Sequence, residues 1–392
     1  MSLQNHYFQT AIQLLTNYNG AIPLHLFLKQ FFSQHKKYGS RDRRNISGLC
    51  YHFFRLGKAS MHLPLNERLV VALFLASREE NPLLDSLHPG FNKQVHLSLE
   101  EKWKFAGLPY SINDIFPLGE NLSSGIDSNA YAASFLLQPD VFIRIRPGKV
   151  QQVLQKLDEL HWPYYSETLS AYRLSQGYAL EKYFRINEDL VIQDLNSQRV
   201  GDFVKSTFDQ FKFKPTSLWD CCAASGGKSI MLYDLFPGIK IKASDIRQSI
   251  LYNLAKRFEE AGIENYQSFV ADLSVKSPIS KIKPLEFIVA DVPCTGSGTW
   301  ARTPEQLYFF DEKMMDVYAS KQYDIASNAL TYLLPGGWLV YITCSVFFKE
   351  NEGVVNKLIK DNKVELVKQD LLDGTSQKCD SMFVAIIRKN LN

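Results

Sequence analysis

No stretch of the chain approaches the roughly 20 uninterrupted apolar residues that a helical membrane span needs, so no membrane association is expected. The opening MSLQNHYFQTAIQLL lacks a basic region leading into an apolar core. That argues against a secretory leader and makes cytoplasmic residence the expectation. Cysteine is sparse and unpatterned: six residues, Cys50, Cys221, Cys222, Cys294, Cys344 and Cys379, show no repeating CxxC spacing. Neither a zinc cluster nor a secreted disulfide framework is implied, reduced thiols are expected, and no metal is called for. Charge of one sign is also short, with 44 basic against 41 acidic residues and a net +3, too mild to demand nucleic acid on its own. A GxGxxG fingerprint is absent. A phosphate-cradling Walker A loop fails as well, because Cys222 stands where its first glycine is needed.

What is present divides the chain into three regions, as 392 residues would suggest. Over residues 1–125 apolar residues recur at helical spacing in AIQLLTNY, LHLFLKQFF, ISGLCYHFFRLGK and NERLVVALFLAS, which predicts a small helical bundle followed by loops around short helical pieces. Within it, HKKYGSRDRR crowds Lys36, Lys37, Arg41, Arg43 and Arg44, either to neutralise phosphates or as a solvated helix start. Residues 126–198 read as a small α+β region with a strand in DVFIRIRPG and a helix in KVQQVLQKLDEL. Arg144 and Arg146 on that strand read either as cations offered to RNA or as a solvated face. Over residues 199–392 apolar runs alternate with amphipathic helices: TSLWDCCA, IKIKASD, YQSFVAD, LEFIVADVPC, GGWLVYITCS and MFVAIIRK. This predicts an α/β, doubly wound, mostly parallel sheet with ligands at the carboxyl ends of its strands.

Those strand ends carry chemistry. The first runs into a turn of small residues, Cys222, Ala223, Ala224, Ser225, Gly226, Gly227 and Lys228, where bare backbone approaches a ligand at a helix start. The second ends at Asp245, 25 residues past Asp220. That is close to the offset of roughly 20 at which an acid meets ribose hydroxyls. Asp272 ends the third. Each acid alone also reads as a helix cap. Together, and without a dinucleotide or P-loop fingerprint, they point to S-adenosylmethionine. The fourth strand ends in Asp291-Val-Pro-Cys294 and the fifth in Thr343-Cys344-Ser345. If those strands are neighbours, two thiols meet at one rim. A thiolate added to carbon 6 of cytosine makes carbon 5 nucleophilic enough to take a methyl group, and a carboxyl group at the ring nitrogen, a role open to Asp291, eases the addition.

Taken in order, WDCCAASGGKS, VADVPCTGSGTW with RTPE, and YITCSVFFKENEGVV resemble the RsmB/Sun family of RNA cytosine-5 methyltransferases. The resemblance runs from about Val191 to the end. SRDRRNISGLCYHFFRLGK is similar, over a shorter length, to the NusB-like RNA-binding helical domain of some members. The family implies a Rossmann-like S-adenosylmethionine-dependent methyltransferase domain preceded by a helical NusB-like domain and a small α+β domain. It implies Cys344 as nucleophile, Cys294 as the thiol that assists proton loss and product release, and Asp291 as a contact to the target base, with Lys228 near Asp291. It places the loop from Ala223 to Lys228 around the methionine moiety, Asp245 at the ribose and Asp272 at the adenine. The partner implied is RNA, ribosomal before transfer RNA, and a monomer is expected. Five positions depart from the family: Ser225 for proline, Thr295 for serine, Ile250 for an arginine, Asn187 for glycine and Asn196 for serine. Two rivals stand beside this reading. One makes Cys294 the nucleophile, as in DNA cytosine-5 methyltransferases; the other keeps the fold as the scaffold of a non-catalytic RNA-binding assembly factor.

Overall fold

The helical periodicity at the start of the chain is realised as four helices, Leu3–Asn17, Leu24–Gln34, Ser40–Arg55 and Leu65–Ala76, in a computed structural model that describes residues 3–276, 279 and 282–391. Each turns an apolar stripe inward, with Ala11, Leu28, Ile46, Leu49, Phe54, Leu69 and Phe74 buried. Short helices between Pro82 and Ser134 follow, as the mixed composition there suggests. By internal contacts Met1–Leu122, Ile126–Gln138 and Thr299–Asp311 form the first of two units. Arg55 is buried and donates to the backbone carbonyls of Phe135, Leu137 and Ala301, so one cation fixes two returning segments. The side chains of Lys36, Lys37, Arg41, Arg43 and Arg44 are all exposed.

The second unit comprises Ser123–Gly125, Pro139–Gly298 and Glu312–Asn392. The small sheet therefore clusters with the large one, while residues 299–311, inside the stretch read as catalytic, cluster with the helices. The small sheet holds β1 (Val141–Ile145), β2 (Tyr164–Ser166), β3 (Ala171–Leu174) and β4 (Leu190–Ile192) in the order β2-β3-β1-β4. Helix Val150–Glu159 packs Val153 and Leu157 against Ile143 and Ile145 of β1.

The sequence reading of Arg144 and Arg146 as an exposed strand face is corrected here, because both side chains are buried. They are 6% and 8% exposed and converge on Asp234, Arg144 at 2.5 Å and Arg146 at 2.9 Å. Arg146 also donates to the carbonyls of Asn187 and Ala261. The cause is packing: the face of β1 that carries both arginines lies against Asp234 of helix Gly227–Leu235.

The large sheet contains β5 (Ser217–Asp220), β6 (Lys240–Asp245), β7 (Tyr266–Val270), β8 (Leu285–Asp291), β9 (Leu333–Thr343), β10 (Val364–Leu372) and β11 (Met382–Lys389), in the order β10-β11-β9-β8-β5-β6-β7. Strands β5 to β9 pair in parallel, and β11 and β10 add antiparallel at one edge. Phe287, Ile288, Val289 and Ala290 are fully buried, as expected of a strand covered on both faces. One face packs on helices Leu195–Gln210, Gly227–Leu235 and Gln248–Glu260, the other on Lys313–Leu330 and Glu352–Asp361. The expected doubly wound α/β fold is present. Because the chain fills β6 and β7 on one side of β5 before crossing to β8 on the other, the strand order reverses between the parallel neighbours β5 and β8, where such folds open a ligand crevice. Among the described residues, no helix is long and apolar enough to cross a membrane.

Candidate active site

The turn leaving β5 is shaped from below. Ala223 N–H donates to the Ser244 carbonyl of β6 at 2.9 Å, and Gly226 N–H closes back on the Ala223 carbonyl at 2.8 Å. Gly226 sits at φ +83°, where a Cβ would come 2.6 Å from the Phe258 ring, so no larger residue fits. Asp220, at the end of β5, is buried and accepts from Ser229 Oγ at 2.6 Å. Burial, with a smaller contribution from the nearby Asp291 charge, pushes its carboxyl up to about 7.

A cavity of about 340 Å³ opens over this turn. Cys222, Ala224, Asp245, Asp272 and Asp291 line it, whereas Ala223, Ser225, Gly226 and Gly227 form the turn behind without lining it. Asp245 accepts from Ala224 N–H at 3.1 Å and Arg247 N–H at 2.9 Å, which aims its carboxylate. Asp272 lies two residues beyond β7 and accepts from Ser274 N–H at 2.9 Å. Sequence reasoning missed the rest of the wall, including Ile246, Arg247, Leu273, Pro293 and Ile325. The apolar members flank the acids, which gives a flat heterocycle two sides to lie between and hydroxyl groups a partner. Ile250, where the family has an arginine, packs into the apolar core, while Arg247 reaches the cavity and pairs with Asp245 at 3.2 Å.

Of the family departures, Asn187 and Ser225 meet at one side chain: Arg257 donates to Asn187 Oδ1 at 3.1 Å and to Ser225 Oγ at 2.9 Å. Asn196 is buried and donates to the Leu372 and Asp380 carbonyls.

On the other side of the crevice β8 and β9 are parallel neighbours with Asp291 opposite Ile342. This register brings Cys294 Sγ to 3.2 Å from Cys344 Sγ. Hydrogen bonding to Cys344, then burial, raises the Cys294 thiol well above its ordinary value. Lys228, from the first turn of helix Gly227–Leu235, reaches Asp291 Oδ2 at 2.7 Å. Burial alone would make that ammonium easier to deprotonate. The charges of Asp291 and, further down, Cys344 outweigh it, and the lysine is held as a cation.

A residue that sequence reasoning passed over ties the two strand ends together. Glu350, fully buried, accepts from Thr295 N–H at 2.9 Å, Thr295 Oγ at 2.5 Å, Ser345 Oγ at 2.6 Å and Gln322 Nε2 at 2.8 Å. Gly298 N–H donates to the Cys344 carbonyl at 2.9 Å, and a Cβ on Gly298 would stand 2.1 Å from the Ser381 carbonyl. The loop carrying Cys294 is thus fastened to the loop carrying Cys344.

Residues 213–389 match a family described as 16S rRNA methyltransferase RsmB/F. That match covers just under half of the chain. Among curated proteins, the chain is 29% identical over 191 residues to the probable ribosomal RNA small subunit methyltransferase B of Coxiella burnetii, covering 48% of this chain and 43% of that one. A 28S rRNA (cytosine-C(5))-methyltransferase of Mus musculus is 27% identical over 157 residues, 39% of this chain and 20% of its own. The chain thus spans less than half the length of these two relatives. A methyltransferase homolog protein from Pyrococcus horikoshii superposes with a TM-score of 0.58 at 21% identity, over 75% of this chain and all of that one, and shares the fold.

Proposed function

We propose that the chain transfers a methyl group from S-adenosylmethionine to carbon 5 of a cytosine in RNA, through a covalent bond between Cys344 and carbon 6. The observation that carries the reading is the pair of thiols 3.2 Å apart just past the ends of adjacent parallel strands, together with a part-buried Lys228–Asp291 ion pair whose Asp291 lines the cavity of about 340 Å³. The choice between the thiols follows from where the proton sits. Cys294 is held protonated by its bond to Cys344, and the Lys228 cation is coupled to Cys344. This weighs against the Cys294-nucleophile alternative.

In this reading Cys344 adds to carbon 6, the carbon 5–carbon 6 π pair shifts toward ring nitrogen 3, and Asp291 passes a proton from Lys228 to that nitrogen and takes it back when the adduct collapses. The bound donor supplies an electrophilic methyl group to carbon 5. The adduct then loses the carbon 5 proton with the assistance of Cys294, the carbon 5–carbon 6 double bond re-forms, and Cys344 leaves as thiolate. Asp245 takes the ribose hydroxyls and Asp272 the adenine end, between Ile246, Leu273 and Ile325. Ribosomal RNA is the favoured substrate because the family description and the curated relatives name it. The exposed cations from Lys36 to Arg44 are the proposed phosphate contacts of a NusB-like domain, and action in the cytoplasm is part of the same proposal.

Incubation with methyl-labelled S-adenosylmethionine and unmodified ribosomal and transfer RNA, followed by nucleoside digestion, tests this. Labelled 5-methylcytidine from ribosomal RNA is the expected product. No label in any RNA, with donor binding shown separately, would favour the scaffold reading.

A further inference from the structure

The turn leaving β5 holds two residues in the left-handed region, Ala224 at φ +45° and Gly226 at φ +83°, with Ser225 between them. Glycine adopts that conformation without penalty. Alanine does not, because its Cβ crowds the backbone there, so the turn keeps its shape only where its surroundings hold it. Asp245 supplies one hold by accepting from Ala224 N–H at 3.1 Å. The hold on Ser225 comes from the last turn of helix Gln248–Glu260, where Arg257 donates through Nη1 to the Ser225 carbonyl at 3.2 Å and to Ser225 Oγ at 2.9 Å. Phe258, next along that helix, is the ring against which Gly226 rests.

Arg257 is itself fixed. Its Nε donates to Asn187 Oδ1 at 3.1 Å, and Asn187, 4% exposed, donates its amide to Glu260 Oε2 at 2.7 Å and accepts from Arg146 at its backbone carbonyl. Asn187 sits at φ +69°, where asparagine is among the few side chains tolerated beside glycine. The residue that stands in place of the family's glycine thus keeps the backbone geometry and adds an anchor for the arginine. Ser225 stands in place of a proline, whose ring fixes φ by itself. Its own N–H donates to nothing among the described residues, so a proline there would forfeit no hydrogen bond.

We propose that Arg257 is a positioning residue for donor binding: anchored by Asn187, it fixes Ser225 within the strained turn and so supplies the constraint that a proline ring would supply. Neither Arg257 nor Asn187 lines the donor cavity, so both act through the turn. The proposal rests on the S-adenosylmethionine reading above and deepens it, because it makes two of the family departures parts of one device.

Calorimetric binding of S-adenosylhomocysteine to the full chain tests this, with thermal midpoints and methylation kinetics measured alongside. Arg257→Met should weaken the ligand about tenfold, through loss of the hydrogen bonds to Ser225, and should raise KM for S-adenosylmethionine while kcat holds. Arg257→Lys keeps the charge but not the fork that reaches Ser225 and Asn187 together, and should stay weak. Asn187→Gly retains the backbone conformation and drops only the anchor, so its loss should be smaller. Ser225→Pro should bind as the wild type does, and the double variant with Ser225→Pro and Arg257→Met should recover wild-type affinity. A general loss of stability would lower the thermal midpoint without that recovery. Unchanged affinity in Arg257→Met, a double variant as weak as Arg257→Met, or full affinity in Arg257→Lys would overturn the proposal, the last by showing that the charge alone acts. Should Arg257→Met not fold, Asn187→Gly with and without Ser225→Pro decides in the same way, by loss in the first and recovery in the second or by the absence of either. A wild type that binds no S-adenosylhomocysteine would instead fail the donor reading itself, and this proposal with it.

Discussion

Asp220 carries an oxygen with no hydrogen-bond partner beneath the donor turn, and burial raises its carboxyl from 3.8 to about 7. An acid raised on folding holds its proton more tightly in the native than in the unfolded chain. Its favourable contribution is therefore complete below the unfolded value of 3.8 and is lost as pH climbs through about 7. Asp220→Asn cannot ionise, so the fall in stability from about pH 4.5 to about pH 8 should be shallower in the variant. Urea midpoints across that range check this, and parallel curves would contradict it. Lys228 acts on the chemistry itself. Lys228→Met removes the cation coupled to Cys344 and leaves Asp291 without its partner. We expect kcat to fall by about 100-fold or more while donor affinity changes only a few-fold, because the lost charge acts chiefly at the reacting base. Stopped-assay kinetics with calorimetric donor binding separate the two, and a loss confined to donor binding would place Lys228 on the donor instead.

At the scale of loops and strands, precision at the two thiols comes from Glu350. Glu350→Ala would remove the acceptor of Thr295 N–H and Ser345 Oγ and one of the two acceptors of Gln322 Nε2, costing about 3 kcal/mol of stability. Glu350→Gln should recover part of it. Denaturant unfolding of the two variants checks the order, and equal stability in both would refute it. Gly226→Ala would have to adopt φ +83° with its methyl group in the Phe258 ring. It should weaken S-adenosylhomocysteine about tenfold as the turn shifts, a change that calorimetry resolves. The turn was legible in the sequence because its run of small residues follows an apolar strand, and the two cysteines because each closes such a strand. Glu350 was not, since KENE reads as the polar start of the following helix and only the tertiary fold shows that its first carboxylate faces inward. Arg144 and Arg146 were misread for the same reason: alternation along a strand tells which residues share a face, not whether a neighbouring helix covers it. Strand β10, VELVKQDLL, escaped notice because charged residues interrupt it at an edge of the sheet, where one margin needs no partner.

For the whole molecule, strand order does the assembling. Filling β6 and β7 before β8 leaves the crevice beside β5, and the β8–β9 pairing closes the distance between Cys294 and Cys344. That neighbour relation was foreseeable from the usual order of such sheets; the clustering of residues 299–311 with the helical unit was not, because local pattern carries no record of long-range contact. A thiol at such a rim reaches carbon 6 only of an unstacked base, so loop oligonucleotides should be methylated at least about tenfold faster than matched duplexes. Equal initial rates would count against the account. Its central claim is that Cys344, and not Cys294, bonds to the base. Mass spectrometry of protein–RNA adducts formed by Cys294→Ala and Cys344→Ala with donor and methylatable RNA decides this most directly. The account predicts an accumulating adduct on the Cys344 peptide in the first variant and none in the second; an adduct on Cys294 in the Cys344→Ala protein, with none in Cys294→Ala, would contradict it.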